Sequence, residues 1–289
     1  MINPVLRREA KTSLRNWKIF YAVAAYVLII TAIAGIAIWQ LMYNSYNPSF
    51  DPSEMLTVYI ILTVVQLGLV LLVTPSFTAG SISGERERQT LDLLLVTKMK
   101  PMSIILGKFF SGLSVIALMV FATMPIFALI MYFGGTNMLY IIAVTVYMLL
   151  VCCAFGAIAI FFSTVFRKTV ISMVFTYIIM GVLVGVTLIV YAIACQAYGS
   201  YYQMALPASV RILMLAINPA IGLISIVCSQ TGNSFMNNIL DYSNYWGSAY
   251  NPITTPVPMW IINAVALVII TVVFILLAAS RIKRTSKKG

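Results

Sequence analysis

The chain has 289 residues, 62% hydrophobic and 9% charged, with a formal net charge of +11 and no histidine. Apolar runs longer than roughly 18 residues take up most of that length, which excludes a soluble protein and leaves no room for a second globular domain. The basic residues cluster beside those runs, where anionic lipid headgroups and membrane topology account for them, so nucleic acid is not an expected partner.

The first 18 residues place Leu6, Ala10, Leu14 and Trp17 on one helical face and Arg8, Lys11, Arg15 and Lys18 on another. This predicts an interfacial (elbow) helix lying among the headgroups. A signal peptide is the alternative, but the apolar run that follows is too long and no small-residue cleavage site precedes Trp39. Spans are expected at Ile19 to Tyr43, Met55 to Ala79, Phe109 to Phe133, Met138 to Thr164, Val170 to Ala194 and Val257 to Ser280. Each is about 36 to 40 Å long as a helix, against roughly 30 Å of hydrocarbon, so the helices tilt. The expected fold is an all-α polytopic membrane protein with six transmembrane helices, one permease domain over 1–289.

Charge sets the orientation. Seventeen of the 18 Lys and Arg fall on one side of this arrangement, in the N-terminal segment, the loop after the second span, Arg167 and Lys168 after the fourth, and the C-terminal tail; Arg211 alone falls on the other. The positive-inside rule then makes both termini cytoplasmic in a multi-pass protein of the cell (plasma) membrane. The outer segment 195–256 contains a further apolar stretch, Leu206 to Cys228, interrupted by Pro207, Arg211 and Asn218-Pro219. A full crossing there would put the basic tail outside; two half-length helices that enter and return, a re-entrant hairpin, satisfy both constraints. Asn233 to Tyr250 reads as an exposed loop.

Gly84 to Pro101, within the loop over 80–106, holds seven of the chain's 25 charged side chains. Ser81, Ser83 and Gly84 offer a polar helix start, Glu85 and Glu87 occupy the first turn, Lys98 and Lys100 the last, and Pro101 stops the run, an order that suits the helix dipole. Glu85 with Arg88, and Arg88 with Asp92, are spaced to pair, and Leu91, Leu94 and Leu95 give an apolar knob. A short amphipathic helix, or helix pair, that presents charge and leucine together describes a docking surface; a solvated loop that only anchors topology is the other reading, although an anchor needs cations and has little use for three acids.

The segment Gly80 to Lys108 resembles the cytoplasmic loop after the second span of the type-2 ATP-binding-cassette (ABC-2) permeases, exporters whose loop has a Glu-rich stretch, a Thr-Leu pair, a Leu cluster, a Pro and a Gly-Lys in this order. Here these are Glu85 and Glu87, Thr90 and Leu91, Leu93 to Leu95, Pro101, and Gly107 with Lys108. The elbow helix, six spans and outer hairpin extend the resemblance over nearly the whole chain. It implies a transmembrane subunit that pairs with a second permease copy, identical or not, and docks cytoplasmic ABC ATPase subunits through a coupling helix. By that similarity Glu85, Arg86, Glu87, Arg88, Thr90, Leu91 and Leu94 are contact or positioning residues, with Arg167 and Lys168 as a second contact. ATP and Mg belong to the partner ATPase.

The chain itself has no GxxxxGK[ST] phosphate loop, no metal-ligand cluster and no Ser, His, Asp constellation, so neither a cofactor nor a catalytic residue is expected on it. The assigned spans lack ionisable residues away from their ends, which disfavours an ion-coupled secondary transporter. Cys152 and Cys153 read as packing residues; Cys195 and Cys228 either pair or pack. The 16 Met are scattered without a clustered motif and read as gap fillers. Gly181 and Gly185 form a GxxxG, at a dimer face or inside one subunit. Apolar and aromatic spans suit an amphiphilic, lipid-like or peptide substrate, with membrane lipids as neighbours, and Phe121, Phe127, Tyr177 and Met180 are candidate pathway lining. The rival function is an ATPase-docked membrane assembly or signalling component that moves no solute.

Overall fold

The computed structural model describes residues 17–44, 52–90, 101–134, 139–202, 206–231 and 258–286. The elbow helix, apart from its last two residues, and the loop Asn233 to Tyr250 lie outside them. Among the described residues every regular element is helical, and six helices are long and apolar enough to cross a bilayer, so the chain is an all-α multi-pass membrane protein. The helices are α1 (Trp17–Asn44), α2 (Pro52–Thr78), α3 (Ser83–Glu87), α4 (Pro101–Phe133), α5 (Leu139–Val165), α6 (Thr169–Gly181), α7 (Thr187–Tyr202), α8 (Ala208–Leu215), α9 (Pro219–Thr231) and α10 (Met259–Ser286).

Two boundaries differ from the sequence expectation. Pro101 opens α4, about two turns before Phe109. Proline suits the first helical position because its missing N–H would lack an intrahelical acceptor there anyway. The fifth span is α6 and α7 joined by a π-helical turn, Val182–Val186. That turn sits on the predicted GxxxG, and a Cβ built at Gly181 or Gly185 would meet nothing within 4 Å, so these glycines mediate no close helix contact among the described residues.

The chain divides into two compact units, Ile179–Val268 and the remainder. In the larger unit α5 is the hub. Of its most apolar window 67% is buried, against 17% for α1, and α2, α4 and α5 pack against one another while α1 lies on α2 and α4. Close approach rests on glycines the sequence pattern does not flag. A Cβ at Gly112 would stand 2.9 Å from Thr78 Cγ2, and one at Gly156 3.3 Å from Leu113 Cδ2. A buried hydrogen bond from Gln66 Nε2 to Thr123 Oγ1 (3.0 Å) joins α2 to α4, and Tyr59 meets Phe127 edge-on.

The smaller unit contains the predicted half-length helices. α8 and α9 meet at a bend of 107° across Ala216 to Asn218. Asn218 makes the bend self-sufficient: its Oδ1 accepts the Ala220 N–H (2.9 Å), capping α9, while its Nδ2 donates to Val184 O and Thr187 Oγ1. Asn263 of α10 donates to the carbonyls of Ala216 and Asn218, at 2.7 and 2.8 Å. Carbonyls left free by a break in a helix are costly in an apolar setting, and these two asparagines satisfy them. Around them Tyr191, Cys195, Leu215, Ile221 and Met259 form an apolar cluster that Cys228 joins at its edge. All four cysteines are free thiols, so Cys195 and Cys228 pack without pairing.

Candidate docking turn between the second and third spans

After α2 the backbone turns through 79–82 into the five-residue α3. Five residues do not make a stable helix unaided, so its geometry must come from tertiary contacts. Ser163 of α5 provides the first. Its Oγ accepts the N–H groups of Ile82 (3.0 Å) and Ser83 (2.9 Å) and donates to Ser83 Oγ, which in turn donates to Ala79 O. The donors exposed by the turn are thereby satisfied at a site where both serines are fully buried.

The end of α3 is set by backbone. Gln89 has φ 57°, the left-handed region; Gln89 N–H donates to Arg86 O (3.2 Å) and Thr90 N–H to Glu85 O (2.9 Å). This pair of bonds is a Schellman closure, and it ends the helix at Glu87. The sequence reading allowed one short helix or a helix pair up to Pro101; the closure shows that α3 does not run on past Glu87 as a single helix. Leu91 and Leu94, with the predicted Arg88–Asp92 pairing, lie outside the described residues.

Two carboxylates fasten this turn to other helices. Glu85 does not serve as partner to Arg88 as its spacing suggested: its Oε1 lies 2.6 Å from Lys108 Nζ. Because α4 starts early, Lys108 is inside the helix and buried. Glu87 reaches α6, where its Oε1 accepts the Thr169 N–H and its Oε2 the Thr169 hydroxyl, both at 2.8 Å. Lys168 precedes the first residue of α6 and accepts the Ser172 N–H through its carbonyl, so a side chain unable to cap stands where an N-cap belongs. Glu87 supplies the missing anion from 82 residues upstream. Those two bonds, and after them the nearby Lys168 and Arg88 charges, hold its carboxyl below the usual carboxylate range. Gly80 permits the approach: a Cβ there would lie 3.0 Å from Thr169 Cγ2.

The remaining predicted residues fall around the clamp. Arg86 is half-buried and donates through Nη2 to Thr164 O (3.3 Å); burial first, and Arg167 second, lower its pKa. Arg88, Thr90, Arg167 and Lys168 are exposed. The turn and the 165–169 loop, remote in sequence, therefore form one surface. Of the candidate pathway residues, Phe121 is exposed and Phe127 buried against Tyr59, so the two have different surroundings on α4. Tyr177 donates to the Leu72 carbonyl, beside Pro75, whose missing N–H interrupts the α2 ladder. Met180 is buried in the smaller unit.

Ser163, Thr169 and Gln89 carry no sequence signal strong enough to single them out, and Lys108 stood out only as part of a motif, without a role.

No curated protein matches the chain in sequence. The family model described as ABC-2 family transporter protein matches residues 3–286. With six spanning helices and a match from one end to the other, the chain belongs to the ABC-2 family of transporter proteins, as a membrane-embedded member.

Proposed function

We propose that the chain is the transmembrane subunit of an ATP-driven exporter and that the 83–90 turn is where its ABC ATPase subunits dock. The observation that supports this reading is the double clamp. A loop that only anchors topology needs no fixed geometry, whereas here a five-residue helix is fastened through Glu85 to Lys108 of α4 and through Glu87 to Thr169 of α6. A push on the turn is then delivered to the third span at Lys108, about two turns into α4, and to the fifth at the first residue of α6. On this reading ATP and Mg are held by the partner ATPase, and Glu85 and Glu87 act as positioning residues that transmit its closure. Both termini and the turn face the cytoplasm, a second permease copy completes the pathway, and the apolar spans suit an amphiphilic, lipid-like or peptide cargo.

The deciding experiment reconstitutes the chain with its ABC ATPase in liposomes and follows ATP hydrolysis together with movement of a fluorescent lipid and a hydrophobic peptide. Hydrolysis coupled to vectorial movement is the expected result, and Glu87→Ala should lower the movement achieved per ATP. Hydrolysis with no movement of either probe would favour the assembly-component reading. Hydrolysis by the chain alone would remove the proposal.

A further inference from the structure

Both acids of the turn are engaged within the chain, Glu85 half-buried and Glu87 exposed. Glu85 is neutralised by buried Lys108, and Glu87 is occupied by the N-terminus of α6. What remains for a partner on this surface is Arg88, Arg167 and Lys168, all exposed, with half-buried Arg86 behind them. The bond from Arg86 to Thr164 O and those from Thr169 to Glu87 hold the two contributing segments together, so the cations form one patch and not two.

We infer that the ATPase groove receiving this turn is acidic, and that Arg88, Arg167 and Lys168 are the residues that read it. The inference rests on the docking role proposed above and gives that partner a surface chemistry. Charge complementarity selects an acidic surface, and the fixed geometry of the patch favours a protein over a lipid bilayer. Lipid headgroups demand no fixed geometry, whereas both segments here are held by backbone hydrogen bonds.

The test measures binding of the purified ABC ATPase encoded beside this chain to the full-length protein in nanodiscs of phosphatidylcholine, with and without phosphatidylglycerol. For the wild type, affinity should fall steadily between about 0.05 and about 0.5 M salt. The Arg88→Glu, Arg167→Glu, Lys168→Glu triple variant should bind roughly tenfold or more weakly at low salt, with little salt dependence left. The corresponding Gln variant should lie between the two, and it carries the test if the charge-reversed chain does not fold. Equal affinity and equal salt dependence in wild type and variants overturn the acidic groove and leave docking intact. Absence of ATPase binding by the wild type at every salt concentration overturns both. A loss confined to phosphatidylglycerol nanodiscs assigns the patch to lipid and overturns the inference.

Discussion

Burying the Lys108 ammonium beside a carboxylate is favourable only while both members are present. Its side chain is 5% exposed and that of Glu85 23%, and Glu85 Oε2 is buried without a hydrogen-bond partner among the described residues. Removing one member leaves the other charge in a poorly solvated place, at a cost on the order of 3 kcal/mol, whereas removing both costs less. Lys108→Met and Glu85→Gln should each lower the thermal midpoint in detergent, and the double variant should recover part of the loss; a strictly additive cycle would refute the coupling. Glu87 acts differently because it is exposed, and its effect is read through pH. Its folded pKa lies below the unfolded one. The stabilisation is therefore complete above the ordinary carboxylate range and is lost as pH falls through that range to the lowered value. Melting curves from neutral to acid pH should fall more steeply for the wild type than for Glu87→Gln, and parallel curves would show that the Thr169 contacts contribute nothing.

The helices themselves were largely readable from apolar run length, since a span has to be long and apolar, and the break at Asn218-Pro219 announced the bend between α8 and α9. The turn at 83–90 was readable as a charged segment between two spans and not as a geometry. Local rules assign Glu85 to Arg88 because they are near in sequence, but Lys108 and Thr169 hold the two acids through the tertiary fold, which spacing cannot express. The end of α3 was hidden for a related reason: a glycine normally marks a left-handed closure, and here glutamine occupies it. Gln89→Gly should relieve that conformation and raise stability by about 1 kcal/mol, while Gln89→Val should lower it, both measured by thermal unfolding. At the α2–α4 contact Gly112 plays the part that GxxxG was expected to play. Gly112→Ala, with its Cβ 2.9 Å from Thr78 Cγ2, should cost roughly 1–3 kcal/mol, and Gly181→Ala, in open space, far less.

Across the whole molecule the number of crossings decides which side carries the tail. α8 and α9 have eight and 13 residues, about 12 and about 20 Å, so neither alone spans roughly 30 Å of hydrocarbon. Joined straight they would suffice, but a bend of 107° folds the second back across the first, and the Asn218 and Asn263 hydrogen bonds satisfy the broken backbone in that bent state. We therefore expect the hairpin to return to the side it entered, which gives six crossings and puts the end of α10 on the side where α1 begins. With Cys153 and Cys228 replaced by Ala, single cysteines at the exposed positions Thr90, Tyr201 and Arg281 distinguish the two topologies. A membrane-impermeant maleimide should modify Thr90→Cys and Arg281→Cys from one face of the membrane and Tyr201→Cys from the other. Arg281→Cys reacting together with Tyr201→Cys would mean that 209–230 crosses, and would place the basic tail opposite the docking turn.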